Sequence, residues 1–132
     1  MPRLGTEGSA GADLCACLDA PVTIAPGRRE TIPTGLALAL PSAEYVGLIY
    51  NRSSMGTRHG VALANCVGVI DSDYRGEMQV VLHNHSGHPY TVEPGDKIAQ
   101  LVVTAIPRVT FAAAETLPPT ARGSGGFGST GR

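Results

Sequence analysis

Thirteen residues in the middle of the chain, Asn65-Cys-Val-Gly-Val-Ile-Asp-Ser-Asp-Tyr-Arg-Gly-Glu77, hold its densest set of reactive groups. Asp71 and Asp73 stand two apart, so on an extended backbone they point to opposite faces. At a turn, one can face a cleft and take a proton from a water, while the other satisfies turn N–H groups. Asn51-Arg52-Ser53-Ser54 closes an apolar run and opens the one segment with helical character. Serine there is commonly an N-cap. The same free N–H groups, two hydroxyls and a guanidinium also suit an anion. Gln100 interrupts the apolar run Ile98–Val103, where a buried amide needs either a structural partner or a ligand. The C-terminal Arg122-Gly-Ser-Gly-Gly-Phe-Gly-Ser-Thr-Gly-Arg132 sets five glycines around one aromatic, Phe127. By composition this is a flexible linker. Its N–H groups, the Ser129 and Thr130 hydroxyls and Arg122 also suit an anion cradle, although no Walker Gly-Lys-Ser/Thr is present.

Short strands have to hold these groups. Gly and Pro make 27 of the 132 residues, well above average, so much of the backbone lies in turns. Alternation and apolar runs predict strands at Asp13–Cys17, Val22–Ile24, Arg28–Ile32, Gly35–Leu40 and Tyr45–Asn51. The same reading predicts Val61–Ala64, Val67–Ile70, Glu77–His85, Tyr90–Val92 and Lys97–Ile106. Turn signals separate them at Ala25-Pro26-Gly27, Ile32-Pro33-Thr34-Gly35, Pro41-Ser42, Ser86-Gly87 and Glu93-Pro94-Gly95. Ser53–Arg58 reads as one short helix. The class is all-β, a barrel or sandwich. One β domain over residues 1–107 is followed by a linker and Gly-rich arm over 108–132.

Composition narrows the function. Hydrophobic residues at 42% allow a core, and a formal charge of −1 gives no electrostatic footprint for nucleic acid. No run of 18 apolar residues and no apolar leader appear, so no membrane association and a cytoplasmic location are expected. Cys15, Cys17 and Cys66 are expected to be reduced, buried and small-hydrophobe-like. Cys15 and Cys17 share a strand face, yet no second ligand pair follows to complete a metal site. His83 and His85 also share a face, without acidic or Cys neighbours, and with His59 and His88 they read as surface or interface residues.

Five segments taken in order resemble the homotrimeric deoxyuridine triphosphate nucleotidohydrolases, or dUTPases. They are Ala10-Gly-Ala-Asp-Leu14, Arg52-Ser-Ser-Met55, Asn65 through Glu77, Gly95-Asp-Lys-Ile-Ala-Gln100 and Arg122 through Gly131. The resemblance implies a jelly-roll-like β fold and a trimer whose three sites lie between subunits. One subunit would supply the first, second and fourth segments, another the third, and the last its C-terminal arm. It implies Asp71 as general base for the water that attacks the α-phosphorus of dUTP, releasing dUMP and pyrophosphate. Tyr74 would lie under the deoxyribose, and Asn65 with the backbone from Gly68 to Ile70 would pair with uracil. Arg52, Ser53, Ser54 and Gln100 would hold phosphates. Asp13 would meet waters of a Mg²⁺ chelated by the triphosphate. Phe127 would stack on uracil as the arm closes, bringing Arg122, Gly128, Ser129 and Thr130 to the ligand. Ser54 stands where the family commonly has Gly, and Asn51 where Pro is frequent; neither removes a chemical group. Nine residues precede Ala10, fewer than usual, which shortens any N-terminal strand.

Three other readings differ in chemistry. A dCTP deaminase relative shares Arg52-Ser-Ser, but the Phe-bearing arm and Ile70-Asp-Ser-Asp-Tyr74 favour dUTPase. A nucleotide-binding regulator has no need of the base at Asp71. A purely structural β-trimer leaves five ordered motifs without a cause.

Overall fold

The computed structural model describes residues 1–126. The strands are β1 (Arg3–Leu4), β2 (Ala12–Cys15), β3 (Val22–Ile24), β4 (Arg29–Ala37) and β5 (Tyr45–Tyr50). After the helix α1 (Ser53–His59) come β6 (Val61–Leu63), β7 (Val67–Ile70), β8 (Glu77–Asn84), β9 (Tyr90–Val92) and β10 (Lys97–Ala105). They pair antiparallel in three sheets, with orders β1-β2-β10-β5-β7, β4-β8-β6 and β3-β9. This is the expected all-β, jelly-roll-like architecture. Strand periodicity builds the core. On β8, Met78, Val80, Leu82 and Asn84 point inward, while Gln79 faces solvent and Val81 and His83 are only half-buried. They meet Leu14, Ile24, Ile32, Val61, Val92 and Ile98, all essentially inaccessible.

One inward position on β8 is polar. Asn84 uses its full hydrogen-bonding capacity: Nδ2 donates to the Ile24 and His88 carbonyls at 2.9 and 2.7 Å. Its Oδ1 accepts from Ser86 N and Ser86 Oγ at 2.9 and 2.7 Å, tying the β8–β9 connection to β3. Asn84→Leu removes the buried partner of the Ile24 carbonyl and is expected to cost about 2 kcal/mol. A shift of the urea midpoint at unchanged slope would show it; an unshifted midpoint would count against the network.

Four expectations are corrected or refined. Ile32-Pro33-Thr34-Gly35 is no turn, because β4 runs through it with its register to β8 shifting between Pro33 and Ala37. A proline is tolerated at such an irregularity, and Gly35 takes the φ of 67° that the bend requires. Thr34 Oγ1 donates to Met78 O at 2.6 Å and Gly35 N to Glu77 Oε1 at 2.6 Å, replacing lost ladder bonds. Secondly, all three cysteines are exposed. Leu14 and Ala16 take the inward positions, and strand alternation turns Cys15 and Cys17 outward. Thirdly, Cys66 holds the tight turn between β6 and β7 at φ 63°, with Val67 N donating to Asn65 O at 2.7 Å. Fourthly, Ser53 is not the helix cap: Arg52 occupies that position, without a side-chain capping bond. The N-terminus does pair, through two residues of β1. Beyond β10, residues 106–126 form no helix or strand.

Candidate active site

A bend in β10 creates the more charged of two clusters. Lys97 and Gln100 are three residues apart, a spacing that places side chains on opposite faces of a regular strand. The β10–β2 register shifts between Lys97 and Ala99, and Ile98 and Ala99 are both buried, at 1% and 0% exposure. That bulge returns Lys97 to the face carrying Gln100. Asp13, opposite Gln100 on β2, shares the face. Together with Gly11, Arg52 and Ser53 they line a cavity of about 420 Å³. A Cβ at Gly11 would come within 2.7 Å of Gln100 Oε1, so a larger residue there would displace that amide.

The charges in this cavity are paired asymmetrically. Asp13 Oδ1 meets Arg52 Nε at 3.2 Å, and Oδ2 meets Lys97 Nζ at 2.7 Å. Arg52 Nη1 also donates to Lys97 O at 3.4 Å. Gln100 Nε2 donates to Asn51 O at 3.1 Å, so the amide has a structural partner while its oxygen faces Gly11. Among the described residues, Asp13 is the sole carboxylate lining the cavity. Among the described residues no three His, Cys, Asp or Glu side chains gather as a metal cage. One carboxylate suits a Mg²⁺ that keeps most of its waters and is held mainly by a triphosphate.

Ser54 does not join this group. It lines an adjoining 310 Å³ cavity with His59, Tyr90 and Asp96, and Arg52 and Lys97 border both. Burial pushes the Tyr90 phenol up, Asp96 adds to the shift and Arg52 opposes it, so the hydroxyl keeps its proton at neutral pH. The His83 and His85 rings do share a face, with centroids 4.0 Å apart.

The second cluster is built at the end of β7. The sheet order leaves β7 paired only with β5, so its other edge offers free N–H and C=O groups around Gly68 and Ile70. The chain then turns: Tyr74 N donates to Asp71 O at 3.2 Å, and Arg75 Nη1 braces the turn through the Ser72 and Tyr74 carbonyls. Tyr74 folds back to donate its hydroxyl to Glu77 O at 3.0 Å. Its ring occupies the space a Cβ on residue 76 would fill, which requires Gly76. Ile70, Asp71, Tyr74 and Glu77 line a cavity of about 330 Å³. Asp71 also borders a second hollow that holds Asp73.

No residue lines both the Asp13 and the Tyr74 cavities. In the sheet, β10 and β5 separate β2 from β7, a distance of about 14 Å at the usual strand spacing. Among the described residues, a single chain therefore brings Asp13, Arg52, Ser53 and Gln100 together, and Asp71 with Tyr74 and Ile70, without uniting the two sets; Gly68 lies on the same strand, two residues before Ile70. Asn65 sits in the turn before β7. Arg122 is exposed and donates through Nε to Gly125 O at 2.9 Å. Phe127, Gly128, Ser129 and Thr130 lie outside the described residues.

The dUTPase family model matches residues 1–131, which include all of both clusters. This chain belongs to the dUTPase family. Its relatives include the deoxyuridine 5'-triphosphate nucleotidohydrolases of an Anaeromyxobacter species and of Idiomarina loihiensis. The first is 52% identical over 132 residues, spanning all of this chain and 88% of the relative. The second is 48% identical, spanning all of this chain and 87% of the relative. A solved dUTPase of Staphylococcus bacteriophage 80alpha, carrying dUpNHpp, is 25% identical with a TM-score of 0.89, covering 100% of this chain and 92% of that one. Within this dUTPase family member, Lys97 is the functional candidate that sequence reasoning passed over. Its charge was visible, but only the bulge turns it toward Asp13.

Proposed function

We propose that the chain hydrolyses dUTP to dUMP and pyrophosphate, in a homotrimer whose sites are shared between subunits. The observation that carries this reading is the open edge of β7, which ends directly in the Asp71–Tyr74 cavity. A strand edge of alternating donors and acceptors suits one pyrimidine edge. The Asn65 amide adds to it, so cytosine is rejected by mismatch and thymine by its methyl. Tyr74 beneath the sugar leaves no space for a 2′-hydroxyl. Asp71 takes the proton of a water whose oxygen bonds to the α-phosphorus, and the bond from that phosphorus to the bridging oxygen breaks, releasing pyrophosphate.

Arg52, Ser53 and Gln100 hold phosphate oxygens, with Ser54 reaching from the adjoining cavity. Mg²⁺ on the triphosphate would supply charge neutralisation, and Asp13 would accept bonds from its waters. The arm of another subunit closes the site, Phe127 over uracil and Arg122, Gly128, Ser129 and Thr130 toward the phosphates, excluding bulk water. Little covalent work is asked of the protein; positioning and electrostatics do most of it. In the cytoplasm this reaction limits uracil in DNA and supplies dUMP for thymidylate synthesis. The test is pyrophosphate release from dUTP, dCTP, dTTP and UTP with Mg²⁺, comparing the full chain with one ending at Ala121. Turnover of dUTP alone, largely lost on truncation, is expected. Full activity without the tail would sink the arm's role, and no turnover of any of the four would sink the reaction.

A further inference from the structure

We propose that Lys97 is a positioning residue for the triphosphate. Its ammonium holds the Asp13 carboxylate in place and keeps it from engaging Arg52 with both oxygens. The inference rests on the dUTPase reading above and adds a residue to it. Asp13 divides its oxygens, Oδ2 to Lys97 at 2.7 Å and Oδ1 to Arg52 Nε at 3.2 Å. A carboxylate left with one guanidinium closes onto it as a two-bond fork. Arg52 would then spend its donors on Asp13 and offer fewer to phosphate. With Lys97 present, Arg52 meets Asp13 Oδ1 through Nε, and Nη1 rests on the Lys97 carbonyl.

The backbone places Lys97 deliberately. Ala16 N donates to Asp96 O at 2.8 Å and Gly95 N to Ala16 O at 2.9 Å, clamping the start of β10 onto the end of β2 beside Asp13. The bulge at Ile98–Ala99 then rotates Lys97 onto the cavity face. Two cations and one carboxylate leave the cavity with a net positive charge suited to an oligophosphate. The Lys97 side chain is half exposed, at 51%, whereas Asp13 is at 18%, so solvent screens the pair and its effect is moderate.

The test uses the full chain, with dUpNHpp binding measured by calorimetry in the presence of a chelator and no metal. Lys97→Met is expected to weaken that binding about fivefold, the scale of a partly screened ion pair. With Mg²⁺ restored, the concentration for half-maximal dUTP turnover should rise by a similar factor, while kcat at saturation stays within about twofold. Lys97→Arg should restore most of both. In an Asp13→Asn background Lys97→Met should have little further effect, because its partner is gone. Unchanged metal-free binding in Lys97→Met would overturn the proposal. So would an equal loss in the Asp13→Asn background, which would make Lys97 a direct phosphate ligand. If the wild-type chain neither binds dUpNHpp nor turns over dUTP, the dUTPase reading itself fails and this inference falls with it.

Discussion

Replacing Asp71 by asparagine is expected to lower kcat for dUTP about 10³-fold, the scale of a lost general base. Affinity for dUpNHpp should change by no more than about threefold, since in the proposed mechanism the group removed acts on a water and not on the nucleotide. The substitution keeps shape and leaves the turn intact, because the turn is closed by the Asp71 carbonyl rather than its carboxylate. An amide donates and accepts hydrogen bonds but does not take up a water's proton at neutral pH. Asp73→Asn is the matched control: Asp73 lies one step around the same turn, borders only the neighbouring hollow, and is absent from the Tyr74 cavity. Its loss should leave turnover within about threefold, in the range of ordinary surface substitutions. Steady-state kinetics with calorimetry decides the matter. Turnover by Asp71→Asn near the wild-type rate would remove Asp71 from the chemistry. Equal losses in the two variants would point to the turn rather than to a base.

How far such a site can be read from sequence depends on the range of the interactions that set it. Strands governed by alternation, such as β3 and β9, fall where the pattern places them, because burying one face leaves a single phase. The turn grammar fails at Pro33, where bonds from Thr34 and Gly35 to residues 77 and 78 carry a strand through a segment that looks like a break. The cysteines fail for a related reason: residue type favours burial, but phase on β2 awards the interior to Leu14 and Ala16. Lys97 is hidden by an irregularity of one residue, since its register to Asp13 is a property of two strands more than 80 residues apart. Local motifs identify Asp71 and Tyr74 well, because a four-residue turn holds both. Which surface they face is a matter of assembly, and no local pattern encodes it.

That assembly gives the largest expected effect. Arg52→Gln removes a phosphate cation from the Asp13 cavity, and Asp71→Asn removes the base from the Tyr74 cavity; each variant alone should be nearly inactive. Co-expressed at equal levels with two different tags, the randomly assorted population should recover about one quarter of wild-type activity per site, and the isolated doubly tagged trimers about one third. This follows if, as proposed, each site of a cyclic trimer takes one cavity from each of two neighbours. A site is whole only when an Asp71→Asn chain supplies the phosphate cavity and an Arg52→Gln chain supplies the base. Random assortment makes each condition true half the time. The surface of the single chain argues the same way. Val69 is 62% exposed at the edge of β7, and Val109, Phe111 and Leu117 stand bare along the segment after β10. A neighbouring subunit covering these side chains would remove their apolar area from water. Recovery from two dead variants has no explanation in a site contained within one subunit. If the doubly tagged species is isolated and remains inactive, the two cavities do not complete each other, and the Asp13 cluster must serve something other than the reaction at Asp71.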